Sequence, residues 1–236
     1  MFTTLLWLKE TDSTQKRLKE WNVKYGTVIV ADYQTQGRGR LGRKWISQEG
    51  GLYFSFSANP NNFPSLIEIP LVVGYSIATS LEKLTGVSFS LKWPNDIYHR
   101  NKKLSGILCE LYKNKLVVGI GINVNQENMP EEIKDRATTL KLITGKNWDR
   151  RELLLRILES IEKDLELFRK RGFKAFKEKI EEKLSFKGEE VKLIGGEEEI
   201  RGKFIGISTR GGALILTDRG LREFLSGDLS LRKSAD

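Results

Sequence analysis

The chain has 236 residues, 39% of them hydrophobic and 30% charged. That is enough to bury a sizeable core in one large domain, or one large and one small. Its net charge of +9 fits a nucleic-acid partner, a polyanionic small substrate such as a nucleotide, or only a Lys/Glu-rich surface. One cysteine, Cys109, excludes an internal disulfide and a cysteine-based zinc site, and one histidine, His99, excludes histidine-cluster chemistry.

The first segment, "LLWLK", reads as a short strand. "TDSTQKRLKEW" follows as a helix, with Asp12, Ser13 and Thr14 supplying capping groups. The N-terminal stretch lacks the basic region of a signal peptide, and a cytoplasmic protein is expected. "GTVIVADYQ" is a β-branched strand. In "GLYFSFS", Leu52, Phe54 and Phe56 alternate with Tyr53, Ser55 and Ser57, the period of a strand. A long helix is expected over Leu66 to Leu84; Glu68 and Pro70 break its apolar run, so no membrane span is predicted. "FSLKWPNDIYH" is a strand running into a polar turn at Asn95 and Asp96, and "KLSGILCEL" and "KLVVGIGINVN" form a hairpin through "YKNK". Cys109 reads as a small buried hydrophobe inside this hairpin; a Cys109/His99 catalytic pair is the alternative. Helical spacing returns from Leu153 to Phe168, stops near Gly172, and resumes weakly through Phe173, Phe176 and Ile180. Short alternating strands with glycine turns follow, so a domain boundary is expected at 183–187. The predicted units are 1–184 and 185–236.

Between two of these strands lies "QTQGRGRLGRKW". Gly37, Gly39 and Gly42 form a literal G-x-G-x-x-G, with Arg38, Arg40, Arg43 and Lys44 interleaved. Without Cβ atoms, backbone N–H groups can close on an anion. A dinucleotide fingerprint needs a helix after the loop, and here a strand follows. The kinase reading lacks its partner motifs. The phosphate loop of nucleotide hydrolases needs Lys directly after the last glycine, where this chain has Arg43. A solvated basic turn remains the bland alternative.

The second constellation is "KWPND", Lys92 to Asp96, followed by "KKLSG". Pro94 favours extended backbone at Trp93. Asp96 could orient a metal or a cation, and Lys103 could carry a point charge into a site. A capped β-turn flanked by solvated lysines is the alternative. In "GIGINVN", Gly119 and Gly121 interrupt a strand, which suits close approach of a ligand or another backbone. Asn123 beside them has the donors and acceptors for a base edge.

The order of "DST", "GRGRLGRKW", "KWPND", "KLSGILCE" and "GIGINVN" along residues 12–125 resembles the biotin protein ligases, which attach biotin to carboxylase carrier domains. The resemblance implies an α+β fold. A mixed β-sheet flanked by helices, a class II synthetase-like or SH2-like core, would precede a small SH3-like β-barrel. It implies a ligase that activates biotin with ATP as biotinyl-5′-AMP and then transfers it to one lysine of a biotin carboxyl carrier protein. Mg2+ would be the metal. The chain begins almost at the catalytic motifs, so no DNA-binding winged helix and no specific DNA contact are expected; monomer and homodimer both fit.

By the same resemblance Lys103, Arg38 and Arg40 are the catalytic residues. Ser13, Thr14, Gln34, Gly37, Arg38, Lys103 and Gly106 hold biotin. Arg40, Arg43, Trp45, Lys92, Asn95 and Asn123 hold ATP and the adenylate, and Asp96 is the candidate magnesium ligand. The glycine loop becomes a lid that protects the adenylate from water. Position 15 is Gln where family members often have Asn. The rival enzyme is a lipoate-protein ligase, whose acyl group has no ureido ring; the polar set Ser13, Thr14 and Gln34 favours biotin. The rival from another class is a non-enzymatic nucleic-acid-binding protein, supported only by the charge.

Overall fold

The computed structural model describes residues 1–195, 198–225 and 230–233; parts of the strand-and-glycine-turn region expected after 184 lie outside them. Strands β1 (Thr4–Thr11), β2 (Thr27–Gln34), β3 (Leu52–Ala58), β4 (Ser90–Lys92), β5 (Asp96–His99), β6 (Lys102–Tyr112) and β7 (Lys115–Ile122) form one sheet. Its order is β1-β2-β3-β7-β6-β5-β4. Only β1 and β2 pair in parallel, so the sheet is mixed.

The helices sort to the two faces by the alternation of the strands. Helix α1 (Thr14–Glu20) covers one face, where Leu18 packs on Ile29 and Val117. Helices α2 (Ile69–Thr85) and α4 (Arg150–Arg171) cover the other. There Phe54, Phe56, Val118 and Ile120 meet Val73, Ile77, Leu154 and Ile161 in the main core. Full burial of such side chains contributes roughly 1.5–3 kcal/mol each before chain entropy is subtracted. Two shorter helices complete the layer, α3 (Leu140–Thr144) and α5 (Lys177–Glu181).

Helix α2 starts at Ile69 rather than Leu66, because Pro70 in its first turn fixes the entry and has no N–H to leave unsatisfied. "SLKWPNDIYH" is a hairpin of β4 and β5. Asp96 belongs to a strand, paired with Lys92 and Gly106, and not to the turn that its residue type predicted. Cys109 lies in β6 against the main core, and burial pushes its thiol well above the usual range. His99 pairs with Lys102 at the other end of the strand. That separates it from Cys109 by about 23 Å along β6 at strand rise, so the Cys109/His99 pair does not form.

The C-terminal part is a separate five-stranded antiparallel sheet. It comprises β8 (Glu190–Gly195), β9 (Glu198–Ile207), β10 (Ala213–Thr217), β11 (Gly220–Phe224) and β12 (Ser230–Lys233) in the order β11-β10-β9-β8-β12. Val191, Leu193, Phe204, Ile207 and Ile215 are its buried residues. It meets the larger unit where Trp93 Nε1, in the turn after β4, donates to Gly211 O at 2.9 Å, and where Glu181 Oε1 of α5 accepts from Ile207 N–H at 3.1 Å. Among the described residues no helix is long and apolar enough to cross a membrane.

Candidate active site

The site lies on the face of the large sheet that carries α1, and the strands leave room for it by lacking side chains. Gly106 of β6 stands opposite Gly121 of β7, and Gly119 stands between Leu108 and Ser55. A Cβ on Gly121 would lie 2.3 Å from the Trp45 ring, and one on Gly119 would lie 2.4 Å from Gln15 Oε1. The glycines thus open a trough, and Trp45 and Gln15 lie in it.

The glycine–arginine loop closes over this trough as an irregular hairpin. Isolated bridges join Gln34 to Ser47 and Arg38 to Lys44. Gly39 N–H donates to Arg43 O at 2.7 Å and Trp45 N–H to Gly37 O at 2.9 Å. The tip is a 3-10 turn, Arg40–Gly42, in which Leu41 and Gly42 have φ of 57° and 70°, so a glycine at 42 suits the left-handed step. Gly37 is needed for close approach: a Cβ there would meet Trp45 O at 2.3 Å.

Beneath the hairpin is a cavity of about 140 Å³, open on one side. Ser13, Thr14, Gln34, Arg38, Arg40, Arg43, Trp45, Asn95, Asp96, Lys103 and Gly106 are among the residues that line it, from separate stretches of sequence. Of the residues expected to hold biotin, only Gly37 stands outside the lining, at the hairpin base. The polar end is built around Gln34, whose Oε1 accepts from Thr14 N–H at 2.8 Å and whose Nε2 donates to Ser47 Oγ at 2.8 Å. Thr14 and Ser55 hydroxyls lie 2.8 Å apart, and Gln15 Nε2 donates to Leu108 O at 3.2 Å. Ser13 caps α1. Its N–H donates to Asp12 at 2.7 Å, and the Arg17 hydrogen bond, with burial opposing and Lys16 adding, holds the Asp12 carboxyl well below its usual range. The capping turn is therefore fixed by a charged hub at physiological pH.

Lys103 reaches the cavity through a β-bulge. In a regular strand, residues three apart face opposite sides. Yet Leu104 and Ile107 both join the main core, and Lys103 and Gly106 both line the cavity. The pairing of β5 with β6 shifts there, Ile97 opposing Ser105 and Tyr98 opposing Lys103, so Leu104 is the extra residue. Lys103 Nζ then lies 2.8 Å from Asp96 Oδ2 and 5.3 Å from the Trp45 ring centroid. Arg40 Nη1 donates to Asn95 Oδ1 at 3.1 Å, tying the hairpin tip to the turn after β4. Asn95 is itself fixed by donating to Ile107 O at 2.8 Å. Two buried polar atoms facing this space have no hydrogen-bond partner among the described residues, Trp45 Nε1 and Asp96 Oδ1.

A second cavity, of about 520 Å³, adjoins the first and shares Arg43, Trp45, Asn95, Asp96 and Lys103 with it. Lys92, Tyr98, Asn123, Arg136 and Phe186 are among its other lining residues. Of the residues expected to hold nucleotide, Arg40 alone lines only the smaller space. Asn123 Nδ2 donates to Thr138 O at 3.1 Å. The sequence reading missed Gln15, Ser55, Tyr98 and Phe186 as lining residues. Ser55 carried a signal, a polar side chain mid-strand, while Phe186 had none. It also missed the buried support beside the hairpin's return. Gln126 Nε2 donates to Tyr53 Oη at 2.9 Å, and Tyr53 donates to Gln48 O at 2.6 Å. Burial pushes the Tyr53 phenol far above its usual range, so it stays a neutral donor.

Two adjoining cavities with the Lys103–Asp96 pair at their junction suit a reaction that joins two ligands. A carboxylate entering the smaller cavity would meet Lys103 and Arg38, and a polyanion in the larger would meet Lys92, Arg43 and the same Lys103. Positioned cations of this kind stabilise charge that builds between two anions.

The chain is similar to several known proteins. Residues 7–127 match the Biotin/lipoate A/B protein ligase family, and residues 186–232 match the Biotin protein ligase C terminal domain. A biotin protein ligase from Aquifex aeolicus, solved in complex with biotin and ATP, superposes with a TM-score of 0.95 at 63% identity, covering 99% of this chain and 100% of that one. The bifunctional ligase/repressor BirA of Bacillus subtilis (strain 168) is 34% identical over 233 residues, covering 95% of this chain and 72% of the relative. The biotin–[acetyl-CoA-carboxylase] ligase of Mycobacterium tuberculosis is 34% identical over 143 residues, 58% of this chain and 53% of that protein. Fold, motif order and these likenesses agree: the chain belongs to the biotin protein ligases within the Biotin/lipoate A/B protein ligase family.

Proposed function

We propose that this chain activates biotin with ATP and passes the acyl group to a lysine of a biotin carboxyl carrier protein. The observation that carries the reading is the junction of the two cavities at Lys103. Biotin lies in the smaller one. Its ureido edge is paired by Ser13, Thr14 and Gln34, since a buried polar edge left unpaired costs roughly 1–3 kcal/mol. Its carboxylate lies by Arg38 and Lys103, with the backbone at Gly106 leaving space. The nucleotide takes the larger cavity, with Lys92, Arg43 and Asn95 toward phosphate, Asn123 toward the base and Trp45 over the adenylate.

The carboxylate oxygen of biotin attacks the α-phosphorus, the bond to pyrophosphate breaks, and the mixed anhydride forms. Lys103 releases Asp96 to neutralise the oxygens between the reacting groups. In the second step the carrier lysine amine attacks the acyl carbon, AMP leaves, and Lys103 stabilises its phosphate. Arg38, Arg40 and Arg43 hold the hairpin down as a lid over the adenylate.

Magnesium fits this site only as a companion of the phosphates. Asp96 Oδ1 is buried without a partner among the described residues, and no group of three or more His, Cys, Asp or Glu among them could hold a metal by itself. A hard cation bound by one carboxylate, phosphates and waters matches that donor set. When bound it neutralises phosphate charge.

Residues 1–184 act as the catalytic unit and 185–236 as a small β-unit. The reading includes neither a DNA contact nor an obligatory second copy of the chain. Incubation with ATP, magnesium, biotin and a purified carrier domain should add one biotinyl group to the carrier, read by intact mass. A carrier with its acceptor lysine changed to arginine should gain none. Equal or better labelling with lipoate in place of biotin would move the chain to the rival ligase.

A further inference from the structure

Phe186 stands in the segment that joins the two sheets, and its backbone is fixed from both sides. Before it, Ser185 N–H donates to Leu91 O at 2.9 Å; after it, Gly188 N–H donates to Phe204 O at 2.7 Å. Its φ is 65°, the left-handed region that favours glycine. A non-glycine residue stays there only when its surroundings fix it.

That side chain packs partly on the main core and forms one wall of the larger cavity. Lys92 Nζ lies 5.8 Å from the Phe186 ring centroid and 5.2 Å from that of Tyr98, and it donates to Tyr98 Oη at 3.4 Å. Lysine is a point charge on a flexible four-carbon stem, and holding it at one place costs rotamer freedom. The Phe186 ring attracts the ammonium and the Tyr98 hydroxyl accepts from it, and together they reduce that freedom before any ligand arrives. The rings come from different parts of the fold: Tyr98 from β5, and Phe186 from the strap that leads into the small sheet.

We propose that Phe186 is a positioning residue for nucleotide binding. With Tyr98 it forms an aromatic clamp that sets the Lys92 ammonium at the wall of the larger cavity for a phosphate group of ATP. The connection to the C-terminal sheet thereby enters the ATP site through one ring. This rests on the reading of the larger cavity as the ATP site.

The test is pyrophosphate exchange by the full chain, with ATP and biotin varied separately, for Phe186→Leu, Phe186→Tyr, Lys92→Ala and the double variant Phe186→Leu/Lys92→Ala. Phe186→Leu keeps apolar bulk and removes the ring face. Its KM for ATP should rise about three- to tenfold, the strength of a partly desolvated cation–π contact. Its KM for biotin should stay at the wild-type value. Phe186→Tyr should restore the KM for ATP, and the double variant should be no worse than Lys92→Ala alone. An unchanged KM for ATP in Phe186→Leu, an equal rise for biotin, or additive losses in the double variant would overturn the clamp. Absence of biotin-dependent exchange in the wild type would instead overturn the functional reading on which it rests.

Discussion

Lys103→Ala should lower the rate of adenylate formation about a hundred- to a thousandfold, or about 2.7–4 kcal/mol, the usual loss when one positioned charge leaves an acyl-transfer site. The fold should survive. The backbone of Lys103 is held by Arg136 O at 2.8 Å and by Thr138 N–H at 2.9 Å, and alanine keeps both bonds. The bulge at Leu104 is a backbone feature and also remains. What changes is the junction: Asp96 loses the cation 2.8 Å away, and the two ligand anions face each other without it. Asp96→Asn in the Lys103→Ala background separates these effects. If the defect comes from an uncompensated carboxylate, the double variant recovers; if it comes from the missing cation, it does not, and the account expects no recovery. Rapid-quench single-turnover measurement with the fold checked by circular dichroism decides it. A loss below about threefold would remove Lys103 from the reaction.

Arg40→Gly should leave adenylate synthesis in place and release the product early. The Arg40 guanidinium ties the hairpin tip to Asn95. Hydrogen bonds to charged groups contribute about 1.5–3 kcal/mol, so losing one should speed escape of the adenylate roughly ten- to a hundredfold. Glycine also adds freedom to a tip where Leu41 and Gly42 already hold positive φ, and ordering each residue costs roughly 1–2 kcal/mol. The polar end around Gln34 and the junction at Lys103 are untouched. Released biotinyl-AMP acylates lysines indiscriminately, so a bystander such as albumin should become biotinylated in proportion. Bystander labelling at the wild-type level, with adenylate synthesis intact, would leave Arg40 as a binding residue without a retaining role.

Much of the large sheet was legible because its strands alternate strongly. Leu52, Phe54 and Phe56 fill the main core while Ser55 faces α1, as their spacing requires. Three motifs met in one site because each sits at a strand end or turn near the trough. The rest depended on pairing between distant segments. No local pattern says that β7 lies between β3 and β6, or that β1 pairs with β2 in parallel. The bulge that turns Lys103 toward Asp96 is a register shift, visible only against β5. Asp96 has the residue type of a turn, yet pairing with Gly106 draws it into a strand and places its carboxylate at the junction. Gln15 and Phe186 were unreadable for the same reason. The first is defined by the space above Gly119 and the second by a clamp between segments nearly ninety positions apart.

If one cavity takes a biotin carboxylate and the other the ATP that activates it, the two ligands react with no third partner present. ATP–pyrophosphate exchange without any carrier protein tests it directly, with biotin, lipoate or neither acid present. The account predicts magnesium-dependent exchange with biotin, and none with lipoate or without an acid. Exchange with lipoate and not with biotin, or exchange independent of either, would contradict it.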